Sequence, residues 1–270
     1  MFFGWLKKEY LTQLETLEKE YPDIDKVLIQ TSYAQSPNLC FGAYYNNELV
    51  GILTTYEFDE YLYVNTVYSI ENNFEIKAKL FELLFNNIDP KTTIITLSRV
   101  EDAKAMREKF GFISYAPFTK VAQRGESVSY NFSDAMAKQI NSDKFDMRAR
   151  EIDNEVYREN RVEYLSSLFD TKTSLGLSTQ TGALHSYVVN KSYARINPWV
   201  MKLESFMEAE KLLRGVLYYR GLKVVYGYIP SNIDEIVELY HQYKFKDEGH
   251  YRLQYIGKRP DIRLESLYAL

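Results

Sequence analysis

The chain has 270 residues, of which 46% are hydrophobic and 26% are charged. This composition predicts a packed globular protein rather than a disordered one, and the length suits two domains of about 130 residues each. The formal net charge of −4 argues against a general nucleic-acid binder, whose affinity depends on a basic surface.

Cysteine content and hydropathy bear on the compartment. Cys40 is the single cysteine, so no disulfide can form within the chain, and a reducing compartment is expected. The first residues, MFFGWLKKEYL, lack the basic region of an export signal, and no apolar run approaches the roughly 18 residues that a membrane span needs. We therefore predict a cytoplasmic protein with no membrane partner.

The first half of the sequence predicts helices, then strands, then a helix–strand–helix unit. Apolar residues at three- and four-residue steps predict opening helices, and β-branched and aromatic runs predict three strands. The helical stripe is Leu6, Tyr10, Leu14, Leu17 and Tyr21, and the strands are 40–45, 49–58 and 61–70. Residues 79–112 then read as a helix, a β-branched strand and a shorter helix.

The second half repeats this order. A stripe over 157–169 predicts helices, the segments 184–190 and 192–205 predict strands without a clear third one, and 211–245 again reads as helix–strand–helix. Leu80 and Leu212 are 132 residues apart, and Phe112 and Phe245 are 133 apart. A repeat of this length predicts two copies of one domain rather than a solenoid.

Domain limits follow from the repeat and from a polar stretch at 122–144. We predict an N-terminal domain over 1–130, a linker over 131–144 and a C-terminal domain over 145–270. Each domain is expected to have a central mixed β-sheet flanked by helices, which places the fold in the α/β (mixed α+β) class.

Three segments resemble the GNAT acetyltransferase superfamily, and nearly the whole chain resembles its tandem two-domain members. The strand YLYVNTVYSI leads into the helix EIKAKLFELLF, where the family carries its acyl-CoA-binding segment. The helix SNIDEIVELYHQYKF is similar to the family's late helix, with an Asn at its start and a Tyr near its end. The closing segment GHYRLQYIGKRPDIRLESLYAL also resembles the tandem members. The resemblance implies two tandem GNAT-like domains.

The resemblance also implies acetyl-CoA as co-substrate. It places the cofactor along strand 61–70 and at the following turn, and we assign Val67, Ser69, Asn72, Asn73, Lys77 and, on the late helix, Asn232 to its binding. Two glycines usually open the family's phosphate-binding helix, because a helix N-terminus offers free N–H groups and glycine lets a phosphate approach. Here neither glycine is present, and Glu75 brings a negative charge to this turn.

The catalytic assignments rest on the same resemblance. Tyr240, five residues before Phe245, matches the family's tyrosine, whose hydroxyl can protonate the departing thiolate. Arg107 stands at this place in the first copy and cannot act as an acid. Glu71 and Glu204, after the corresponding strands, are candidate general bases. The alternatives are a packing role for Tyr240 and ordinary surface acids at the two glutamates.

We therefore expect an N-acetyltransferase that moves an acetyl group from acetyl-CoA to a small-molecule or peptide amine by direct attack. The alternative is a non-catalytic GNAT-like module that binds a ligand or a protein, because both phosphate-binding turns are degenerate. No metal is expected, since His185, His241 and His250 have no metal-ligand spacing.

Overall fold

A computed structural model describes residues 1–12, 14–125 and 144–270 of the chain. Contacts divide these residues into two units: Met1–Tyr115 with Arg252–Arg259, and Ala116–Tyr251 with Pro260–Leu270. No single boundary in the sequence separates the two units, because each unit includes a segment from the other half of the sequence. The predicted linker at 131–144 lies, apart from Lys144, outside the described residues.

After its opening strand, the first unit has helices and strands in the predicted order. Its elements are β1 (Phe2–Trp5), α1 (Glu15–Glu20), α2 (Lys26–Gln35), β2 (Phe41–Tyr45), β3 (Glu48–Glu57), β4 (Leu62–Ser69), α3 (Phe74–Asn86), β5 (Ile94–Arg99) and α4 (Val100–Phe110). Strand β1 was not predicted, and it pairs with β2. The predicted strands 40–45, 49–58 and 61–70 are confirmed to within two residues at each end.

The sheet of the first unit has the order β1-β2-β3-β4-β5, and residues 252–256 lie beside β5. The pairs β1–β2, β2–β3 and β3–β4 are antiparallel, whereas β4 and β5 are parallel. Apolar side chains are buried on both faces. Strand β3 contributes Val50 and Leu53 to the core that includes α3, and Leu49 and Ile52 to the core that includes α1 and α2.

The second unit repeats this order. Its elements are β6 (Ile113–Arg124, of which 116–124 belong here), α5 (Phe145–Tyr157), α6 (Val162–Phe169), β7 (Leu175–Ser178), β8 (Gly182–Val188), β9 (Tyr193–Met201), α7 (Phe206–Arg220), β10 (Val224–Pro230), α8 (Asp234–Gln242), β11 (Lys246–Ile256, of which 246–251 belong here) and β12 (Leu267–Ala269). The predicted repeat is visible as α3–β5–α4 and α7–β10–α8. Strand β7 is the third strand that the sequence did not reveal.

In the second unit the strands follow the order β6-β10-β9-β8-β7. Strands β9 and β10 are parallel, and β6–β10, β7–β8 and β8–β9 are antiparallel. The short strand β12 leaves this path and pairs with β9. One large apolar core lies between the sheet and helices α7 and α8, centred on fully buried Trp199, Leu212 and Leu239.

Local signals explain two of the helix ends at the repeat. The side chain of Asn73 caps α3 by accepting hydrogen bonds from the N–H groups of Glu75 and Ile76. Helix α4 ends at Gly111, whose φ of 80° is a conformation that glycine adopts without strain. Among the described helices, none is long and apolar enough to cross a membrane.

Candidate functional site

In the first unit, the parallel pairing of β4 and β5 stops before either strand ends, and the unpaired stretch beyond it is called the gap. The parallel ladder joins Leu62–Val64 to Ile94–Thr96, while β4 continues to Ser69 and β5 to Arg99. Two neighbouring parallel strands that separate in this way leave main-chain donors and acceptors along their facing edges. The gap leads towards the turn at 70–73 and the N-terminus of α3, which are the segments that the sequence assigns to cofactor binding.

The predicted cofactor residues of the first unit are brought together at this turn. Val67 is half-buried near the end of β4, and Ser69 is buried. The Ser69 hydroxyl donates to the Asn73 carbonyl at 2.9 Å, and the Ser69 carbonyl accepts from the Tyr21 hydroxyl at 2.8 Å. Ser69 therefore fixes the turn through two hydrogen bonds that hold it to α1 and α3.

The backbone of the turn is held in an uncommon conformation. Glu71 and Asn72 have φ of 53° and 48°, in the left-handed region that side chains other than Asn and Asp rarely adopt. The N–H of Glu71 donates to both carboxylate oxygens of Glu20, at 2.9 and 2.7 Å. The N–H groups of Glu71, Glu75 and Ile76 thus already donate hydrogen bonds to carboxylate or carboxamide oxygens of the chain.

Lys77 is held by side chains of this chain, and its part in cofactor binding stays a prediction. Its side chain was predicted to offer a cation to a phosphate, but the ammonium is buried and donates to Asn72 Oδ1 and Asp102 Oδ2, each at 2.5 Å. Burial lowers the pKa of Lys77, and the Asp102 carboxylate counters this effect. The Arg99 guanidinium also acts on this region, since its charge lowers the pKa of both Tyr21 and Lys77.

A corresponding gap exists in the second unit. Strands β9 and β10 pair at Tyr193–Arg195 and Val224–Tyr226, and then β9 continues to Met201 and β10 to Pro230. Here strand β12 pairs with Trp199 and Val200 on β9, and the N–H of Leu270 donates to the Tyr228 carbonyl on β10 at 2.9 Å. The chain's own segment 267–270 therefore lies between the diverging strands.

Tyr240 lies beside that segment. Its side chain is fully buried, and its hydroxyl donates to the Tyr268 carbonyl at 3.0 Å. Burial raises the pKa of Tyr240 well above its ordinary value, and the neighbouring Tyr268 adds to the rise. The ring contacts Trp199 and Phe245 at centroid distances of 5.6 and 4.8 Å. Its role as a catalytic acid stays a prediction, and the contacts in the structure are those of a packing residue.

The other two predicted residues of the second unit are exposed. Glu204 lies in the turn between β9 and α7 with φ of 59°, and Asn232 precedes the residue that caps α8. Glu71 of the first unit is exposed as well. Within the described part of the chain, no hydrogen bond joins Glu204, Asn232 and Tyr240 to one another, and their joint site stays a prediction.

Sequence reasoning missed Glu20, Asp102 and Arg99 in the first unit and Tyr268 in the second. Glu20 and Asp102 are 51 and 25 residues away from the groups they bind, so only the fold brings them there.

No cluster of three or more His, Cys, Asp or Glu side chains that could hold a metal occurs within the described ranges. His185 is buried, with Nδ1 2.7 Å from the Asn197 carbonyl and Nε2 2.8 Å from the Ser174 hydroxyl.

The chain is similar to solved structures but has no match by sequence. No family model matches the sequence, and the search of curated proteins found no match. Solved structures do match over almost the whole length. An acetyltransferase described as putative, from Pyrococcus horikoshii, is 16% identical with a TM-score of 0.77, covering 100% of this chain and 93% of that one.

Two further structures support the same fold. A tandem GNAT protein from the clavulanic acid biosynthesis pathway is 13% identical with a TM-score of 0.59, covering 96% of this chain and 99% of that one. A GCN5-related N-acetyltransferase from Sphaerobacter thermophilus is 12% identical with a TM-score of 0.57, covering 98% of each chain. These identities establish the fold alone. The predicted fold class is confirmed: the chain has the duplicated, mixed α/β fold of the tandem GNAT acetyltransferases.

Proposed function

We propose that the protein is a GNAT-type N-acetyltransferase that transfers the acetyl group of acetyl-CoA to an amine by direct attack. The observation that carries this proposal is the gap between β4 and β5, which runs from the end of their ladder at Val64 and Thr96 to the turn before α3. The lone buried thiol of Cys40 fits a reducing compartment, so the cytoplasm remains the expected location.

The first unit fits an elongated ligand that carries amides at one end and phosphates at the other. The edge of β4 beyond Val64, including Val67, would take the amide-bearing arm through main-chain hydrogen bonds. The N–H groups of Glu71, Glu75 and Ile76 donate to oxygen atoms of Glu20 and Asn73, and this orientation supports the proposal because an anion is bound by N–H groups at a helix N-terminus. A diphosphate would take the place of the Glu20 and Asn73 oxygens, with Arg99 as the nearby cation.

Acetyl-CoA supplies an activated thioester. An unprotonated amine attacks the thioester carbonyl carbon, the carbon–sulfur bond breaks, and CoA leaves as a thiolate that takes a proton from solvent. The attacking nitrogen then gives up its extra proton to water. Glu71, the base that the sequence predicts, lies at the diphosphate end of this arrangement, and its role as a base stays a prediction. Glu204 is the corresponding carboxylate of the second unit. The acceptor is a small-molecule or peptide amine.

The alternative is a GNAT-like module without catalysis. One observation favours it: in the first unit Asn73, Glu20 and the Lys77–Asp102 pair satisfy the polar groups of the turn from within the chain. A ligand must therefore compete with existing hydrogen bonds, which weakens its binding. Such a module would keep the fold for interaction with another molecule.

Calorimetric titration of the full chain with acetyl-CoA separates the two functions, followed by thiol release with a panel of polyamines, amino acids and peptide N-termini. We expect binding and acceptor-dependent release of CoA. Binding without release with any acceptor would support the module. Absence of both would contradict the proposed transferase.

A further inference from the structure

The second unit contains an occupant of its own gap. Among the described strands, β12 is the one that lies off the main path of the sheet. It runs antiparallel to β9, with Leu267 opposite Val200 and Ala269 opposite Trp199. In the first unit, the residues at the same step of the fold form the β4 edge that we assign to the acetyl-CoA arm.

The occupant is bound on both sides. Leu270 donates its N–H to the Tyr228 carbonyl on β10 and accepts from the Arg195 guanidinium at 3.1 Å through its own carbonyl. The Tyr268 carbonyl accepts from Tyr240 on α8. The segment thus pairs through its main chain with β9 and β10, and it accepts side-chain hydrogen bonds from Arg195 and Tyr240. Such main-chain pairing is the pattern of strand addition, in which a peptide fills a free sheet edge.

The segment is also part of the hydrophobic core. The exposed fractions of Leu267, Tyr268, Ala269 and Leu270 are 0%, 4%, 0% and 6%. The Tyr268 ring lies 5.2 Å from that of Trp199. Burial to this degree removes the apolar surface of four residues from water, which stabilises the segment in this position.

The strand opposite is shaped for this segment. Gly227 on β10 has no side chain where Ala269 packs, and a Cβ built at Gly227 would lie 3.3 Å from the Ala269 Cβ, closer than ordinary contact. A small residue on each side allows the two backbones to approach. The sequence of β10 is therefore matched to the presence of residues 267–270.

We propose that residues 267–270 are the resident occupant of the second unit's cleft and close it to acyl-CoA. Resting on the proposed function, this inference assigns acetyl-CoA to the first unit, with one molecule bound per chain. In this arrangement the Tyr240 hydroxyl, which the family resemblance assigns as the acid, holds the closing strand in place. The duplication thus leaves one cleft for a ligand and uses the other for stability.

Hydrogen exchange on the full chain, with and without saturating acetyl-CoA, tests the occupancy. We expect the amides of 267–270 to exchange about 100-fold or more slowly than unprotected amides in both states. Acetyl-CoA should slow exchange in 65–76 and leave 199–209 unchanged. Rapid exchange of 267–270 without ligand, or its acceleration by acetyl-CoA, would overturn the proposal.

A pair of variants makes the test specific to the contact. Gly227→Val forces a side chain against Ala269 and should speed exchange of 267–270 by about tenfold or more. Adding Ala269→Gly should restore part of the protection, because the two changes are coupled only if these residues touch. Exchange unaffected by Gly227→Val would contradict the arrangement.

The stoichiometry of binding distinguishes the two proposals. One acetyl-CoA per chain, with 267–270 protected, supports both. Two per chain would overturn the closed cleft and leave the transferase standing. No binding, with 267–270 protected in exchange, would contradict the transferase while supporting the occupant.

Discussion

Glu71 and Glu204 stand 133 residues apart and both have a positive φ, of 53° and 59°. Each follows the strand that borders the gap of its unit and precedes the helix, α3 or α7. The separation equals that of Phe112 and Phe245, so the left-handed glutamate is a feature of the repeat. A non-glycine residue costs about 1–2 kcal/mol in this region, and such strain often marks functional positions.

Replacing these glutamates separates strain from chemistry. Glu71→Gly and Glu204→Gly should each raise the free energy of unfolding by about 1 kcal/mol, because glycine adopts positive φ without a Cβ clash, as measured by chemical denaturation. Glu71→Gln keeps the strain and removes the carboxylate. If Glu71 is the base, both Glu71 variants lower turnover, whereas Glu204→Gly leaves turnover unchanged. Equal losses in the two units would contradict the assignment of Glu71.

The charge at the start of each repeat helix predicts which unit binds acetyl-CoA. Glu75 and Glu208 lie in the first turns of α3 and α7, where a carboxylate repels a phosphate. Glu75→Gln should tighten acetyl-CoA binding by about two- to tenfold at low salt, and less at high salt. Glu208→Gln is the matched control and should change the affinity little. Calorimetry that gives the reverse ranking would move the site to the second unit.

The buried pair of Lys77 and Asp102 predicts a large loss of stability. Asp102→Asn leaves a buried ammonium without its counter-charge and should lower the free energy of unfolding by about 3–5 kcal/mol. The exposed pair Lys104–Glu108 on the same helix supplies the control, since Glu108→Gln should cost less than about 1 kcal/mol. Replacing both buried charges, Lys77→Met with Asp102→Leu, should recover most of the loss. A cost below 1 kcal/mol for Asp102→Asn would contradict this account.

The fold was predictable because each domain repeats a long periodic pattern. Strands β2, β3 and β4 are bounded by turn residues and rich in β-branched and aromatic side chains, and α3 and α8 carry clear apolar stripes. Strand β7, with the sequence LGLS, and strand β12, with the sequence LYA, carry only three or four residues. Elements this short depend on the partner strand for their stability, so periodicity cannot reveal them.

The turn of the candidate site was predictable in position, but the contacts of its side chains were not. The spacing from the repeat located the turn at 70–73, because helix and strand lengths alone set that position. It could not show that Lys77 faces inward to Asp102, since a lysine in the first turn of a helix has the same sequence pattern on either face. It also could not show Glu20 on the N–H of Glu71, because that hydrogen bond joins residues 51 apart.

Tyr240→Phe tests whether the family's tyrosine has become structural. Its hydroxyl holds the Tyr268 carbonyl, and loss of a buried hydrogen bond should lower the free energy of unfolding by about 1–2 kcal/mol. Turnover should stay within about twofold of the unchanged chain. Tyr219, which is 53% exposed, is the control, and Tyr219→Phe should alter neither quantity. A fall in turnover of about 10²-fold or more would restore Tyr240 as the general acid.

Two buried groups of the second unit predict opposite pH effects on stability. Burial raises the pKa of Asp153 to about 6, although the Arg161 guanidinium counters the rise, and burial lowers the pKa of His185 to about 4. Between pH 4 and 6 the folded chain retains the proton of Asp153 that the unfolded chain loses, so this group's contribution falls as pH rises. His185 is neutral when folded and protonated when unfolded in this range, so its contribution increases with pH.

In the unchanged protein, the two pH effects on the free energy of unfolding largely cancel. Single substitutions should therefore reveal each effect by itself. Each pKa moves by about two pH units, and at about 1.36 kcal/mol per unit the effect on the free energy of unfolding is on the order of 3 kcal/mol. From pH 4 to 6, the stability of His185→Asn should fall relative to the unchanged chain, and that of Asp153→Asn should rise. Denaturant titrations at pH 4, 5 and 6 measure these differences, which isolate one group at a time. Parallel profiles for all three chains would show that the protonation of neither group differs between the folded and unfolded chains in this range.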